Sequence, residues 1–374
     1  MGWIAVKTLV ADRGKLATAL VGLVFSLVLV NVQGGLFLGL LGKASLLVDR
    51  AGADIWVGHK AMHNVDFPHA IPSRWVARLR SLPGVERAEP YTIGWATMTL
   101  PSGGFEPVVV VGSDPASLLG SAWNIREGGP GALRHNDGIV VDACDDHKLE
   151  HPAVGDLREI GGRKARVVAK SRGIVGFLIS PYVFTTLDRA AEYLRLPHGV
   201  CSYYLVQVKP GFSVDEVSQA IRHRTPQLDV YARHEYARIS VQFWMTRTGL
   251  GISFGAATLL GLAVGLVMVA QTLYASVLDR LGEFGTLKAL GAEEWQVYQI
   301  LFTQAVALAG GGSLIGLAAV AAIRHWFHSY RAPIVIPLWL SLGSCLLLLA
   351  IALVSSLLPY LRVRRLDPVM VLQG

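Results

Sequence analysis

The residues best equipped for chemistry fall in two polar clusters. The first is VVDACDDHKLEH, where Cys144, His147 and His151 stand among Asp142, Asp145 and Asp146. Thiolate, imidazole and carboxylate groups are the ligands a divalent metal takes, and a thiol near an imidazole is a nucleophile beside a base. The spacing matches no strong zinc signature and no second ligand pair is evident, so the segment reads as a solvated loop. The second cluster is His59, His63 and His69, a set that would suit haem or a metal but lies beside Pro68 and Pro72 in a polar loop. The phosphate-binding pattern G-x-x-x-x-G-K-[ST] is absent from the chain, so ATP hydrolysis by this chain itself is not expected.

Both clusters sit in a block of ordinary soluble composition, residues 42–247, and that block is bracketed by apolar sequence. Four stretches carry no charged side chain: 16–41, 249–278, 295–323 and 332–361. Each exceeds the roughly 20 apolar residues needed to cross a hydrocarbon core. Of 374 residues 52% are hydrophobic and 16% charged, below the approximately one quarter charged of soluble domains. The fold class expected is an α-helical membrane protein with four transmembrane helices and a large α+β extracytoplasmic domain. The first span is longer than the apolar core of a signal peptide and is expected to stay as an anchor.

The net charge of +7 does not point to nucleic acid, because the basic residues gather at the ends of the spans. Lys7, Arg13 and Lys15 precede the first span, Arg280 and Lys288 occupy the turn 279–294, and Arg362, Arg364 and Arg365 follow the last. The positive-inside rule then places both termini and that turn in the cytoplasm and the large block outside. Within residues 1–15, Trp3, Val6 and Val10 recur at helical spacing beside the basic residues, as in an amphipathic helix lying on the inner surface.

The outer block contains a weak repeat. A strand at 54–57 leads to a helix with Trp75, Leu79 and Leu82, the turn Pro83-Gly84 and a strand at 85–91; later a strand at 204–208 leads to Pro210-Gly211, a helix with Val214, Val217 and Ile221, and a strand at 228–231. Strand, helix and strand twice over implies two split βαβ halves packed on one another. Between them, 97–188 reads as short strands, clearest at 108–111, 138–141 and 166–169, in a separate β-rich subdomain. From 231 to 246 the pattern is helical and is expected to feed straight into the second span as a stalk. Cys144 and Cys201 share the outer block, where one disulfide is chemically open to them; Cys345 lies in the last span.

Glycines recur four apart in the spans: Gly35 and Gly39, Gly251 and Gly255, Gly261 and Gly265, Gly312 and Gly316. This spacing lets helix backbones approach closely in lipid, for packing within the bundle or for dimerisation. Asn31 and Gln33 are polar, but no Asp, Glu, Lys, Arg or His lies within any span, which disfavours ion-coupled transport.

The turn after the second span has its own pattern. In LDRLGEFGTLKALGA, Leu281, Phe284, Leu287 and Leu290 recur every three residues, Gly291 ends the run, and a new helix starts at Ala292 or Glu293. This segment, with the C-terminal RVRRLDPVMVLQG, resembles the FtsX/MacB-type ABC transporter permeases; VAQTLYASVLDR brings it closest to the DevC-like members. The resemblance spans the layout of the whole chain and implies ferredoxin-like porter halves plus a β-rich subdomain in 42–247, and an FtsX-like permease domain in 248–374. Because only residues 1–15 precede the first span, it also implies a separate ATPase subunit, which would bind the ATP-Mg; no cofactor is expected on this chain.

By the same resemblance the permease is a homodimer in the inner membrane, with Leu281, Glu283, Phe284, Leu287 and Lys288 in a coupling helix on the ATPase. Mechanotransmission would reshape the outer domain to drive export of lipids or other amphiphiles through a membrane-fusion adaptor and an outer-membrane channel. Two alternatives stand beside it. One is an FtsX-like regulator of a cell-wall hydrolase; the other is a haem- or lipoprotein-release permease using His59, His63 and His69. An anchored enzyme ranks third, for want of a catalytic constellation.

Overall fold

The computed structural model describes residues 13–134, 137–178, 180–279, 293–327 and 329–364, with Lys7, Ala11 and Gly282. The chain divides into two units: Leu40–Leu250, and the remainder up to Gly39 and from Gly251 onward.

The second of these is helical. Its long elements are α1 (Arg13–Ala44, whose last residues pass into the other unit), α7 (Leu250–Asp279), α8 (Glu294–Trp326) and α9 (Leu338–Arg364). All four are long and apolar enough to span a bilayer, where a helix satisfies every backbone polar group internally. Glu293 caps α8 through a reciprocal capping box with Gln296. The last helix begins at Leu338 rather than at residue 332, because Pro333 and Pro337 hold the preceding backbone out of the helical region. Lys15 pairs with Asp279, which brings the start of α1 to the end of α7.

Leu40–Leu250 is built on one large mixed sheet with strand order β12-β1-β11-β3-β4-β9-β6-β8-β5, and β7 lies off this path against β3 and β8. The strands are β1 (Ile55–His59), β3 (Val85–Thr99), β4 (Phe105–Ser113), β5 (Ile125–Gly128), β6 (Gly138–Asp142), β7 (Leu157–Ile160), β8 (Arg163–Ser171), β9 (Tyr182–Thr186), β11 (Tyr203–Val208) and β12 (Leu228–Ala232). A separate pair joins β2 (Ile71–Pro72) to β10 (Val200–Cys201). Both expected strand–helix–strand copies are present, with α3 (Val76–Arg80) in the first and α5 (Val214–Arg224) in the second. They do not form two lobes. Antiparallel pairing places β1 between β11 and β12, and β11 between β1 and β3, so each copy's strands flank a strand of the other. A split βαβ unit leaves a strand-wide gap, and here each copy fills the other's.

Strand β3 extends through Thr99, well past residue 91. Its first half, Val85 to Tyr91, pairs with β11; its second half, Thr92 to Thr99, pairs with β4. The β-rich middle is therefore not a detached subdomain but the continuation of the same sheet. Ile55, Val57, Leu79, Val206, Val217 and Ile221 form one core beneath α3 and α5. Val110, Val141, Val167, Val183 and Tyr193 form another beneath α4 (Leu187–Tyr193). The opposite face buries Trp56, Tyr91, Tyr203 and Tyr236 against α2 (Leu46–Arg50) and α6 (Arg233–Arg247). The stalk α6 does not run on uninterrupted: it ends at Arg247, and Gly249 takes a positive φ of 69° before α7 starts, a backbone glycine adopts without strain.

At the point where β3 changes partner, buried Ser202 ties the seam. Its Oγ accepts from the Ile93 N–H and donates to the Ile93 carbonyl, both at 3.0 Å. Ser202→Ala leaves both backbone groups buried without that partner. A loss of about 2–6 kcal/mol of stability is expected at ~1–3 kcal/mol per orphaned group, read from urea unfolding of the purified chain by tryptophan fluorescence.

Candidate functional site

The spans are organised around α1. Leu23 and Leu27 on this helix are fully buried among Val269, Leu273, Ala305, Leu308, Leu348 and Ala352. The pairs Gly261/Gly265 of α7 and Gly312/Gly316 of α8 both face it. A Cβ added at Gly261 would meet Leu29 at 2.5 Å, and one at Gly265 would meet Ser26 Oγ at 2.5 Å; at Gly312 and Gly316 it would meet Leu23 at 2.8 Å and Leu27 at 2.6 Å. Close approach is therefore what these positions provide. Polar contacts add to it. Ser26 Oγ donates to the Gly261 carbonyl at 2.9 Å, Asn31 Nδ2 donates to Ser344 Oγ at 2.8 Å, and Ser355 Oγ donates to the Leu266 carbonyl at 3.3 Å.

Gly35 and Gly39 serve a different neighbour. They let the extended segment before α9 lie along α1: a Cβ at Gly39 would be 1.8 Å from the Pro333 carbonyl oxygen, and the Val335 N–H donates to the Gly35 carbonyl at 3.0 Å. Gly255 has nothing within 4 Å, and Gly251 is the second residue of α7. Leu281, Glu283, Phe284, Leu287 and Lys288, the residues expected to couple to an ATPase, lie outside the described residues, as does the C-terminal tail from Arg365.

The polar clusters of the outer unit have structural work. Asp142 is 1% exposed, and its carboxylate accepts from the N–H groups of Cys144, Gly173 and Ile174 and from Ser171 Oγ at 2.8–3.1 Å. Asp146 pairs with Lys170 at 2.7 Å. Burial, with Asp142 nearby, pushes the Cys144 thiol up to about 11, unlike a poised nucleophile. Cys144 and Cys201 are both free thiols, so the disulfide open to them is not formed. The rings of His147 and His151 are 6.2 Å apart. His59 Nδ1 donates to the Lys60 carbonyl at 2.7 Å, and its ring packs 4.2 Å from that of His69. Burial lowers the His59 pKa, so its ring is neutral at pH 7. His63 lines a groove with Tyr231, Phe243 and Arg247 instead. Among the described residues no three His, Cys, Asp or Glu side chains are placed to hold a metal.

A pattern G-x-S-x-G does occur at Gly251-Ile252-Ser253-Phe254-Gly255, but inside α7, not at the strand-to-helix turn that exposes a nucleophile.

The group the sequence conceals is Asp66. It is 4% exposed and accepts from Tyr182 Oη at 3.2 Å. Its neighbour Phe67 packs against Phe243 and Trp244 of α6, and Phe177 closes on Trp244 at 4.1 Å. Burial, opposed by the hydrogen bond from Tyr182, raises the Asp66 carboxyl to about 6. Only a tertiary contact between two distant loops and α6 makes this site, so no local spacing announces it.

Four membrane-spanning helices with a large mixed α/β domain between the first and second define a multi-pass membrane protein of the permease class. Residues 16–224 match the MacB-like periplasmic core domain, and residues 255–368 match the FtsX-like permease C-terminal domain. The chain belongs to the FtsX/MacB superfamily of ABC transporter permeases. It is 25% identical over 272 residues to an uncharacterized ABC transporter permease of Methanocaldococcus jannaschii, covering 68% of this chain and 66% of that one. It is 23% identical over 367 residues to an uncharacterized ABC transporter permease of Mycobacterium tuberculosis, covering 94% and 93%. It is also 22% identical over 312 residues to the pyoverdine export ATP-binding/permease protein PvdT of Pseudomonas aeruginosa, covering 79% of this chain and 46% of that protein.

Two tests follow. Gly39→Leu must displace the Pro333 backbone and should cost at least about 3 kcal/mol or abolish folding, whereas Gly255→Leu, with open space around it, should stay within about 0.5 kcal/mol; thermal unfolding in detergent separates them. For Asp66, the folded carboxyl keeps its proton where the unfolded chain, at the ordinary 3.8, has lost it. Stability therefore falls as pH rises between these two values and levels off above them. Asp66→Asn should flatten that slope and raise stability at pH 7 by about 1–3 kcal/mol, measured by denaturant unfolding across pH.

Proposed function

We propose that this chain is the permease subunit of a DevC-like exporter that works by mechanotransmission. Two copies bind two separate ATPase subunits, which hold ATP-Mg, and the work of nucleotide-driven closure reaches the outer domain through the spans. The cargo is a lipid or another amphiphile, passed outside to a membrane-fusion adaptor and an outer-membrane channel. The protein sits in the inner membrane with both termini in the cytoplasm.

The observation that carries this reading is the packing of the spans. Their backbones close on α1 through glycine, and no Asp, Glu, Lys, Arg or His lies within the four uncharged stretches. Such a bundle is a poor polar channel and a good lever. Membership of an ABC permease family implies a partner ATPase, and a relative named for pyoverdine export supports outward transport. On α7, Ile252 and Leu259 are 78% and 69% exposed on either side of the open Gly255. We assign that face to the second copy, because a small residue flanked by apolar ones suits helix pairing in lipid.

Leu281, Glu283, Phe284, Leu287 and Lys288 are the residues we assign to the ATPase. Leu287→Asp with charge reversal at Glu283 or Lys288 should reduce recovery of the ATPase with the tagged permease at least about tenfold, as expected where a buried apolar anchor is lost. Undiminished recovery and transport would remove these residues from the coupling contact. Recovery of the wild-type chain with a cell-wall hydrolase instead of an adaptor would favour regulation over export.

A further inference from the structure

The connection between α8 and α9 lies on the same side of the bilayer as the large domain, since α7 and α8 each cross once. It is rich in proline and contains no acidic residue: RHWFHSYRAPIVIP. The last turns of α8 and the extended residues 333–337 line an open-sided cavity of about 940 Å³. Leu317, Val320 and Ile334 give it apolar walls, while Arg324 and His325 stand at its lining with no carboxylate among them. Arg324 is exposed and makes no ion pair among the described residues. Trp326 and Phe327 beside it and Trp339 at the start of α9 are 83%, 67% and 64% exposed. Aromatic side chains exposed at the end of a span mark the headgroup level of a membrane.

The geometry points to a bound phospholipid: we infer that this cavity holds one anionic phospholipid of that leaflet, its phosphate on Arg324 and an acyl chain along Leu317, Val320 and Ile334. The chemistry selects this occupant on two grounds. A guanidinium matches a phosphate and has no competing acid at the site. Apolar walls of this extent are useless to a free anion but cover a hydrocarbon chain that would otherwise compete with detergent or bulk lipid. The cavity depends on Gly39, because the segment that forms its floor lies where any side chain at that position would stand. The inference is independent of the export reading, since it concerns the permease without its ATPase.

The test uses the full chain in nanodiscs of phosphatidylcholine doped with palmitoyl-oleoyl phosphatidylglycerol, followed by native mass spectrometry after gentle detergent release. Wild type should retain phosphatidylglycerol at close to one per chain. Arg324→Gln, which removes the charge, and Ala321→Trp, which fills the cavity from an exposed lining position, should each lower retention about tenfold, the scale of one charge-assisted contact. Their unfolding temperatures should match wild type; since Arg324 is exposed, its variant serves if Ala321→Trp fails to fold. Equal retention in wild type and Arg324→Gln would overturn the proposal. Release of the phosphatidylglycerol by millimolar inorganic phosphate would also overturn it, assigning an anion site in place of a lipid site.

Discussion

The helical unit depends on how closely other backbones come to α1. In lipid there is no hydrophobic gain from bringing one apolar helix to another, so association rests on contact distance and on polar groups that meet. Gly261, Gly265, Gly312 and Gly316 supply the distance, and Ser26, Asn31 and Ser344 supply the hydrogen bonds. Gly35 and Gly39 extend the same principle to a non-helical neighbour. Irregular backbone at the edge of a membrane survives only where protein or water satisfies it, and the bond from Val335 to Gly35 is one such satisfaction. That α1 holds three different partners through small residues makes it the fixed member of the bundle.

The outer unit solves the corresponding problem with a sheet. Strand β3, fifteen residues long, belongs to two ladders in succession. It places the interleaved βαβ copies and the β-rich middle in one hydrogen-bonded surface, with cores on both faces. Its two faces are recorded in different ways: short helices α3, α4 and α5 cover one, and a box of buried aromatics under α6 covers the other. Trp56 meets Tyr91 and Tyr203 edge-on and Tyr236 at a tilt, with ring centres 5.5–5.7 Å apart, a spacing at which aromatic quadrupoles attract.

What was legible in the sequence follows from periodicity. Long uncharged runs announce spans, and alternation bounded by Pro-Gly announces both repeat copies, so the class of fold and the order of its parts were accessible. The merging of the middle into the same sheet was not, because residues 92–99 alternate too irregularly, with Gly94 and exposed Trp95, to read as a continuing strand. The interleaving was also hidden, since partner choice is a tertiary matter. Among chemical groups, the His, Cys and Asp clusters stand out by composition yet are spent on loop geometry, while Asp66, isolated in NVDFPHA, gains its character only from tertiary burial beside Tyr182 and α6. Glycine spacing revealed close approach; it did not reveal that one pair faces an extended strand.

The division of β3 bears on how such a protein tolerates change. Everything from Thr92 to Ser202 is nested inside a frame formed by β1, α3, the first half of β3, β11, α5 and β12. The chain passes between the nested part and that frame at β3 and where β10 leads into β11, the two places Ser202 links, while the β2–β10 pair and the Tyr182–Asp66 bond tie them side by side. A shorter or altered middle can therefore be grafted across those joints while the frame retains its pairing. The frame itself allows no such division. Because each βαβ copy supplies the strand that fills the other's gap, a chain cut between them yields two pieces with open edges. Neither piece is expected to be soluble alone, and together they form one ladder.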